Sequence, residues 1–258
     1  MSSVESNLVH APLSMKFISS FILLSILAGL GMGVFRVLTS LYGVELKASG
    51  LQLGLISAAQ SIGILLMALP IGVLVKRLGS LKVFTIGSLV GASLFMFGSL
   101  FHNAWALVLI TALVSFVMPM RFVSINTVFL THLRRLGPSK AGWFRGSHMT
   151  GFFLIAPSLG VFFISTVGHQ KSFWCVAALF LIALMLAPLC FEAKSQVERD
   201  AQPKFKFKEI LEPLQLIKTY QPLRTVCLLE ILTSIATNTF GFFIVVIAIQ
   251  NFAFAEHS

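Results

Sequence analysis

The chain has 258 residues, 57% of them hydrophobic and 11% charged, with a mean hydropathy of +0.92. That composition excludes an ordinary soluble domain, and the absence of a repeating alternation about ten residues long excludes an outer-membrane barrel. The net charge of +10 is not a nucleic-acid footprint, because the basic residues fall between apolar runs, as they do at a membrane surface.

A hydrocarbon core of about 30 Å takes about 20 helical residues, and seven apolar runs reach that length. Residues 1–16 read as a cytoplasmic N-terminal segment. The first run, 17–42, has no basic leader beyond Lys16 and no A-x-A cleavage site, so it is a retained span and not a secretory signal. Ser25, Gly29 and Gly33 recur at every fourth position, a spacing that lets helix backbones approach closely in lipid. Arg36 lies about 28 Å along this run at 1.5 Å per residue. The second run, 51–75, carries Gln60, and the third, 83–101, repeats the small-residue spacing at Gly87 and Gly91. In the fourth, 105–130, Arg121 and Asn126 follow Pro119, which loosens the local helix. The fifth, 143–165, holds His148, and the sixth, 173–191, closes a six-span bundle over residues 17–191. A long basic connector, 192–222, precedes the seventh run, 223–252, with Glu230 and Asn238; the seventh span and its short tail occupy 223–258.

Orientation follows from lysine and arginine. Of the 19 such residues, all but Arg36, Arg121, Lys47 and Lys171 fall on one side of the alternating spans. That side is expected to be cytoplasmic, with the N-terminus and the connector on it.

A charge at membrane depth costs about 2.5–3.5 kcal/mol on insertion scales and survives by facing a cavity, a partner or a substrate. The first six runs contain no Asp or Glu. Arg36 and Arg121 are therefore the first candidates for handling an anionic or polar solute, against the plainer reading that Arg36 snorkels to the outer headgroups. Glu230 is the acid within a span, either on a solvated face or a protonatable coupling residue and partner of Arg121. For Asn126, Asn238 and Gln60 the plain reading is hydrogen bonding between helices; Asn238 is the best placed of the three for solute. His148 reads as a packing histidine.

The connector run Lys204-Phe205-Lys206-Phe207-Lys208 reads as an interfacial segment drawn to anionic lipid, each cation worth about 1 kcal/mol, and not as a nucleic-acid site. Cys175, Cys190 and Cys227 form no C-x-x-C or metal spacing. No nucleophile elbow, Walker A or H-E-x-x-H occurs. No enzyme chemistry, cofactor or metal is expected, and a secondary mechanism is the default for any transport.

Six spans, a long basic connector and a seventh span resemble the first half of a major facilitator superfamily transporter. The stretch Gly72-Val73-Leu74-Val75-Lys76-Arg77-Leu78-Gly79-Ser80-Leu81-Lys82 resembles the family's G-x-L-x-D-R-x-G-R-K loop at Gly72, Leu74, Arg77 and Gly79, with Lys82 one place late. Lys76 stands where the family has an acid implied in gating, and that role does not carry over. Arg121 resembles the span-4 motif R-x-x-Q-G, with Ser124 and Ile125 at its last two positions. Ala156-Pro157-Ser158-Leu159-Gly160 resembles the span-5 G-P-x-x-G signature of exporters through Pro157 and Gly160. The resemblance implies an all-α membrane fold of twelve spans in two halves, with solute near the midplane between them. This chain then corresponds to the six-helix N-terminal bundle plus one further helix, an incomplete twelve-span fold.

The expected function is a secondary transporter in the plasma or bacterial inner membrane. It would move a small solute, anionic or zwitterionic, by alternating access, with the proton as candidate coupling ion and export as the direction span 5 implies. A second half-transporter chain or a homodimer would complete it. The alternative is a transport-inactive scaffold or partner subunit that keeps the half-fold.

Overall fold

The computed structural model describes residues 15–136, 138–191, 215 and 217–252. The segment 1–14, most of the connector with its Lys204–Lys208 run, and the last six residues lie outside the described residues. Among the described residues the long helices follow in order: α1 Met15–Glu45, α2 Gly50–Leu78, α3 Ser80–Gly98, α4 Ala104–Leu136, α5 Pro138–Met149, α6 Ala156–Cys190 and α7 Gln221–Phe252, with a π-helical turn, Thr150–Ile155, between α5 and α6. Five helical stretches among the described residues are long and apolar enough to cross a membrane, the last being the continuous Gly142–Cys190.

That last stretch is two spans. The sequence places a break between residues 165 and 173, yet the chain stays helical up to Gly168, where φ is +79°. Only glycine takes this conformation without strain. Neighbours on α1 give the direction of each half. Gly29 faces His148 and Phe152, Gly33 faces Ala156, and Gly160 faces Val37, so the fifth span runs parallel to α1. Beyond Gly168, Phe173 meets Tyr42, Phe180 lies against Gly31, and Ala187 and Phe191 pack with Phe21 and Leu24. The sixth span therefore returns antiparallel.

Pro157 explains the π turn. In an α-helix its ring would collide with the carbonyl four residues back and leave that carbonyl without a donor. Widening the preceding turn avoids the clash, and the Ala156 N–H reaches the Gly151 carbonyl, five residues back. Pro157 and Gly160 thus shape the fifth span where it meets α1.

Connections at the other helix ends are short. Gly79 alone separates α2 from α3, with φ +84° and ψ 156°, a backbone conformation open essentially to glycine. This is the physical reason for the second glycine of the loop motif. Lys76 and Lys82 flank it on exposed positions. At the opposite end Ser49 caps α2 by accepting from the Gln52 N–H, while the Gln52 side chain accepts from the Ser49 N–H.

Span α1 is the axis of the bundle: 67% of its most apolar window is buried, against 28% for α2. It packs on α5, the π turn and α6, while α4 packs on α2 and α3. The interior divides in two. Phe21, Leu24, Phe84, Phe129 and Phe191 fill the end that carries the basic loops, and Phe35, Phe95, Phe173 and Phe180 fill the middle and far end. Outward-facing Leu65, Leu66, Leu109, Leu154 and Met185 are more than half exposed, as side chains that meet lipid should be.

Candidate solute cleft and the two buried arginines

Arg36 turns inward. It is 8% exposed, and its Nη2 donates to the Thr237 carbonyl of α7 at 2.9 Å. Its guanidinium carbon lies 5.7 Å from the Phe152 ring centroid, and Gly241 of α7 sits against it so closely that a Cβ there would be 2.8 Å from that carbon. One turn of α1 brings Thr39 next to it, and Gln60 of α2 donates from Nε2 to Thr39 Oγ1 at 2.9 Å. Arg36, Phe35, Gln60, Ser115, Met118 and Phe152 line a small open cleft. The walls come from α1, α2, α4 and the π turn. The site offers one cation, one amide, one hydroxyl and two aromatic faces, a set that suits a small polar or anionic solute.

Arg121 has a different setting. It is 4% exposed, and its guanidinium carbon stands 3.6 Å from the Phe180 centroid and 5.3 Å from that of Phe84. Cation–π contact of this kind is worth about 2 kcal/mol when desolvated. Gly87 allows the close approach: a Cβ there would press on Met120 and Arg121. The residue also lines a second cleft with Ala28, Phe122, Ile125, Phe144 and His148; Met32 and Met118 form the wall common to both clefts. His148 is 8% exposed and hydrogen-bonded to the Ser25 backbone.

Glu230 does not meet Arg121. It pairs with Arg145 at 3.6 Å, and both side chains are 65% exposed. Arg121 is enclosed by aromatic rings, whereas Glu230 occupies the first third of α7 on the basic-loop side. An exposed pair of this sort contributes little. Asn126 is half-buried on α4. Asn238 lies within α7, but its side chain is outside the described residues. The structure therefore brings Arg36 and Gln60 into one cleft, with α7 beside it, and leaves Glu230 apart. Phe152, Ser115, Phe84 and Phe180 were not distinguishable in the sequence, because the chain holds 25 Phe and nothing in spacing singles these out.

At the far end, His169 follows the Gly168 turn. Its Nδ1 meets Glu45 Oε2 at 2.5 Å, and its ring stacks on Tyr42, whose hydroxyl donates to the Phe101 carbonyl at 3.0 Å. Burial holds His169 below the ordinary histidine value of 6.5, and the Glu45 carboxylate offsets this only in part. The folded chain thus binds fewer protons here than the unfolded chain at and below that value. This contribution to stability is present above the ordinary histidine range and is lost as pH falls through it. The melting temperature in detergent should drop more in the parent than in His169→Gln on going from about pH 7.5 to about 5.5. Identical pH profiles for the two would exclude this role.

A sequence profile of the Major Facilitator Superfamily matches residues 21–257. The crystal structure of the nucleoside transporter NupG superposes with a TM-score of 0.66 at 19% identity, over 94% of this chain and 61% of its own length. A mutant form of that transporter gives a TM-score of 0.61 at 19% identity, over 86% and 57%. The chain thus spans about three-fifths of these transporters, and at such identity the likeness carries the fold alone. Among curated proteins, none matches by sequence.

Proposed function

The chain belongs to the Major Facilitator Superfamily, and on that premise we propose that it carries the N-terminal half of a secondary transporter's solute path. Residues 17–191 act as one rocking bundle, 192–222 as its cytoplasmic connector, and 223–258 as the first element of the opposing half. The basic loops face the cytoplasm of a plasma or bacterial inner membrane. The solute is small and polar, with an anionic or strongly hydrogen-bonding group that Arg36 receives. One observation carries this reading: Arg36 points into the cleft and donates to a carbonyl of α7, so it touches both elements between which solute would sit. Gln60, Ser115 and the Phe152 ring support it as the remaining polar and aromatic walls. The tight backbone contact of Gly29, Gly33 and Gly160 with their partner spans supports rigid-body motion of the bundle.

The test is flux into proteoliposomes containing the chain, using a panel of labelled organic anions, zwitterions and neutral polar solutes. Accumulation or exchange above protein-free vesicles is expected for at least one class. No flux from a folded preparation across the panel would overturn the reading and leave the scaffold alternative.

A further inference from the structure

The hydrogen-bond polarity of the Arg36 cleft is fixed by a residue behind its wall. Thr39, fully buried one turn beyond Arg36 on α1, has its hydroxyl oxygen 2.9 Å from the Phe35 carbonyl and 3.0 Å from the Arg36 carbonyl. A hydroxyl carries one hydrogen, and here it goes to these acceptors. Toward α2, Thr39 Oγ1 is therefore left to accept. The Gln60 amide must accordingly turn its Nε2 to Thr39, at 2.9 Å, which leaves the carbonyl Oε1 for the cleft that Gln60 lines. Among the described residues, Oε1 accepts no hydrogen bond. The other neutral polar wall, Ser115 of α4, spends its hydrogen on the Ala112 carbonyl at 2.7 Å. The cleft thus offers a strong donor at Arg36 and acceptors on the side of α2 and α4.

We propose that this polarity selects the solute: Gln60 Oε1, oriented by Thr39, receives a neutral O–H or N–H donor carried next to the group that Arg36 receives. The solute class is then a hydroxy- or amido-substituted anion and not a plain carboxylate. Gln60 is the specificity residue and Thr39 the positioning residue that acts through it. An analogue without the donor strips water from Oε1 and returns no hydrogen bond, which costs affinity. An ammonium would reach the same oxygen, but among the described residues no Asp or Glu lines the cleft to balance its charge, and the Arg36 guanidinium repels it. A bridge between helices uses the Nε2 bond alone, so the direction of Oε1 is a property of the cleft. The assignment rests on the reading of the Arg36 cleft as a solute site.

Lactate, propionate and alanine share one carboxylate skeleton and differ in a hydroxyl, a hydrogen and an ammonium at the same carbon. Their binding to the purified full chain in detergent is read by titrated saturation-transfer NMR. Lactate should bind about tenfold more tightly than propionate, and alanine more weakly than lactate. Thr39→Val keeps the shape but removes the acceptor for Nε2; it should erase the lactate preference and leave propionate affinity unchanged, and Thr39→Ser should restore the preference. Gln60→Leu should erase it as well. Arg36→Gln should weaken lactate and propionate alike and keep their ratio. A merely structural role for Thr39 would lower every affinity together. Equal binding of lactate and propionate, tighter binding of alanine, a preference that survives Thr39→Val, or binding of none of the three would overturn the proposal. Flux in proteoliposomes from the same preparation tests the transport reading separately. A lactate preference in binding without flux removes transport and keeps the assignment, whereas propionate flux equal to lactate flux keeps transport and removes the assignment.

Discussion

Arg36→Gln should reduce solute flux by about ten- to a hundredfold, the loss of one charge-assisted contact of about 1.5–3 kcal/mol, without unfolding the protein. Glutamine keeps a polar amide in the cleft while the positive charge and the Nη2 bond to the Thr237 carbonyl go. The loss should therefore fall mainly on solute affinity. Arg36→Lys should be intermediate, because an ammonium cannot present the planar fork that serves a carbonyl and a solute together. Gly241→Val is the complementary change. A Cβ at this position would stand 2.5 Å from Nη2 of Arg36, so the guanidinium must move out of the cleft, and flux should fall although no polar group is removed. Flux within twofold of the parent in Arg36→Gln, measured in the same proteoliposomes, would remove Arg36 from the path.

Gly33→Leu should destabilise the bundle by about 3 kcal/mol or more, at the upper end of what overpacking costs. At Gly33 a new Cβ would lie 2.5 Å from the Phe152 carbonyl oxygen and would also meet the Ala156 Cβ. These are backbone and near-backbone atoms of the π turn and α6, which cannot swing aside as the end of a flexible side chain can. The fifth span would be pushed off α1 and the Arg36 cleft would widen. Gly54→Ala is the control: nothing lies within 4 Å of a Cβ at that position. There the change should be neutral, or stabilising by about 0.5–1 kcal/mol through helix propensity. Thermal or denaturant unfolding in detergent separates the two, and equal stability of both variants would refute the close-packed interface.

Much of this was legible in the chain itself. The membrane-length helices up to Cys190 follow from the length and apolarity of the runs, since lipid leaves a backbone no alternative to the helix. Gly29 and Gly33 announced a close helix contact by spacing alone, but not that the partner is the fifth span. The kink at Gly168 was bracketed to within a few residues. The π turn is a consequence of Pro157, readable in principle from a proline inside an apolar run. The two arginines stood out because an unaccompanied charge in such runs is expensive. A polar amide at the depth of Gln60 implies a bridge between helices, and its bond to Thr39 is that bridge.

What the sequence by itself determined is therefore everything governed by local free energy: which segments are helices, where they must stop, and which side chains cannot be left facing lipid. Only the tertiary structure decided what those side chains face instead. Arg36 and Arg121 have the same chemistry in similar runs. Yet one reaches α7 across a cleft and the other lies on the Phe180 ring, because their directions depend on how helices far apart in sequence are rotated against one another. Glu230 shows the same dependence. Its charge made Arg121 a natural partner on paper, but the position of α7 brings it to Arg145. Helix rotation is set by the summed packing of many apolar contacts, none of which carries a signal in the one-dimensional chain.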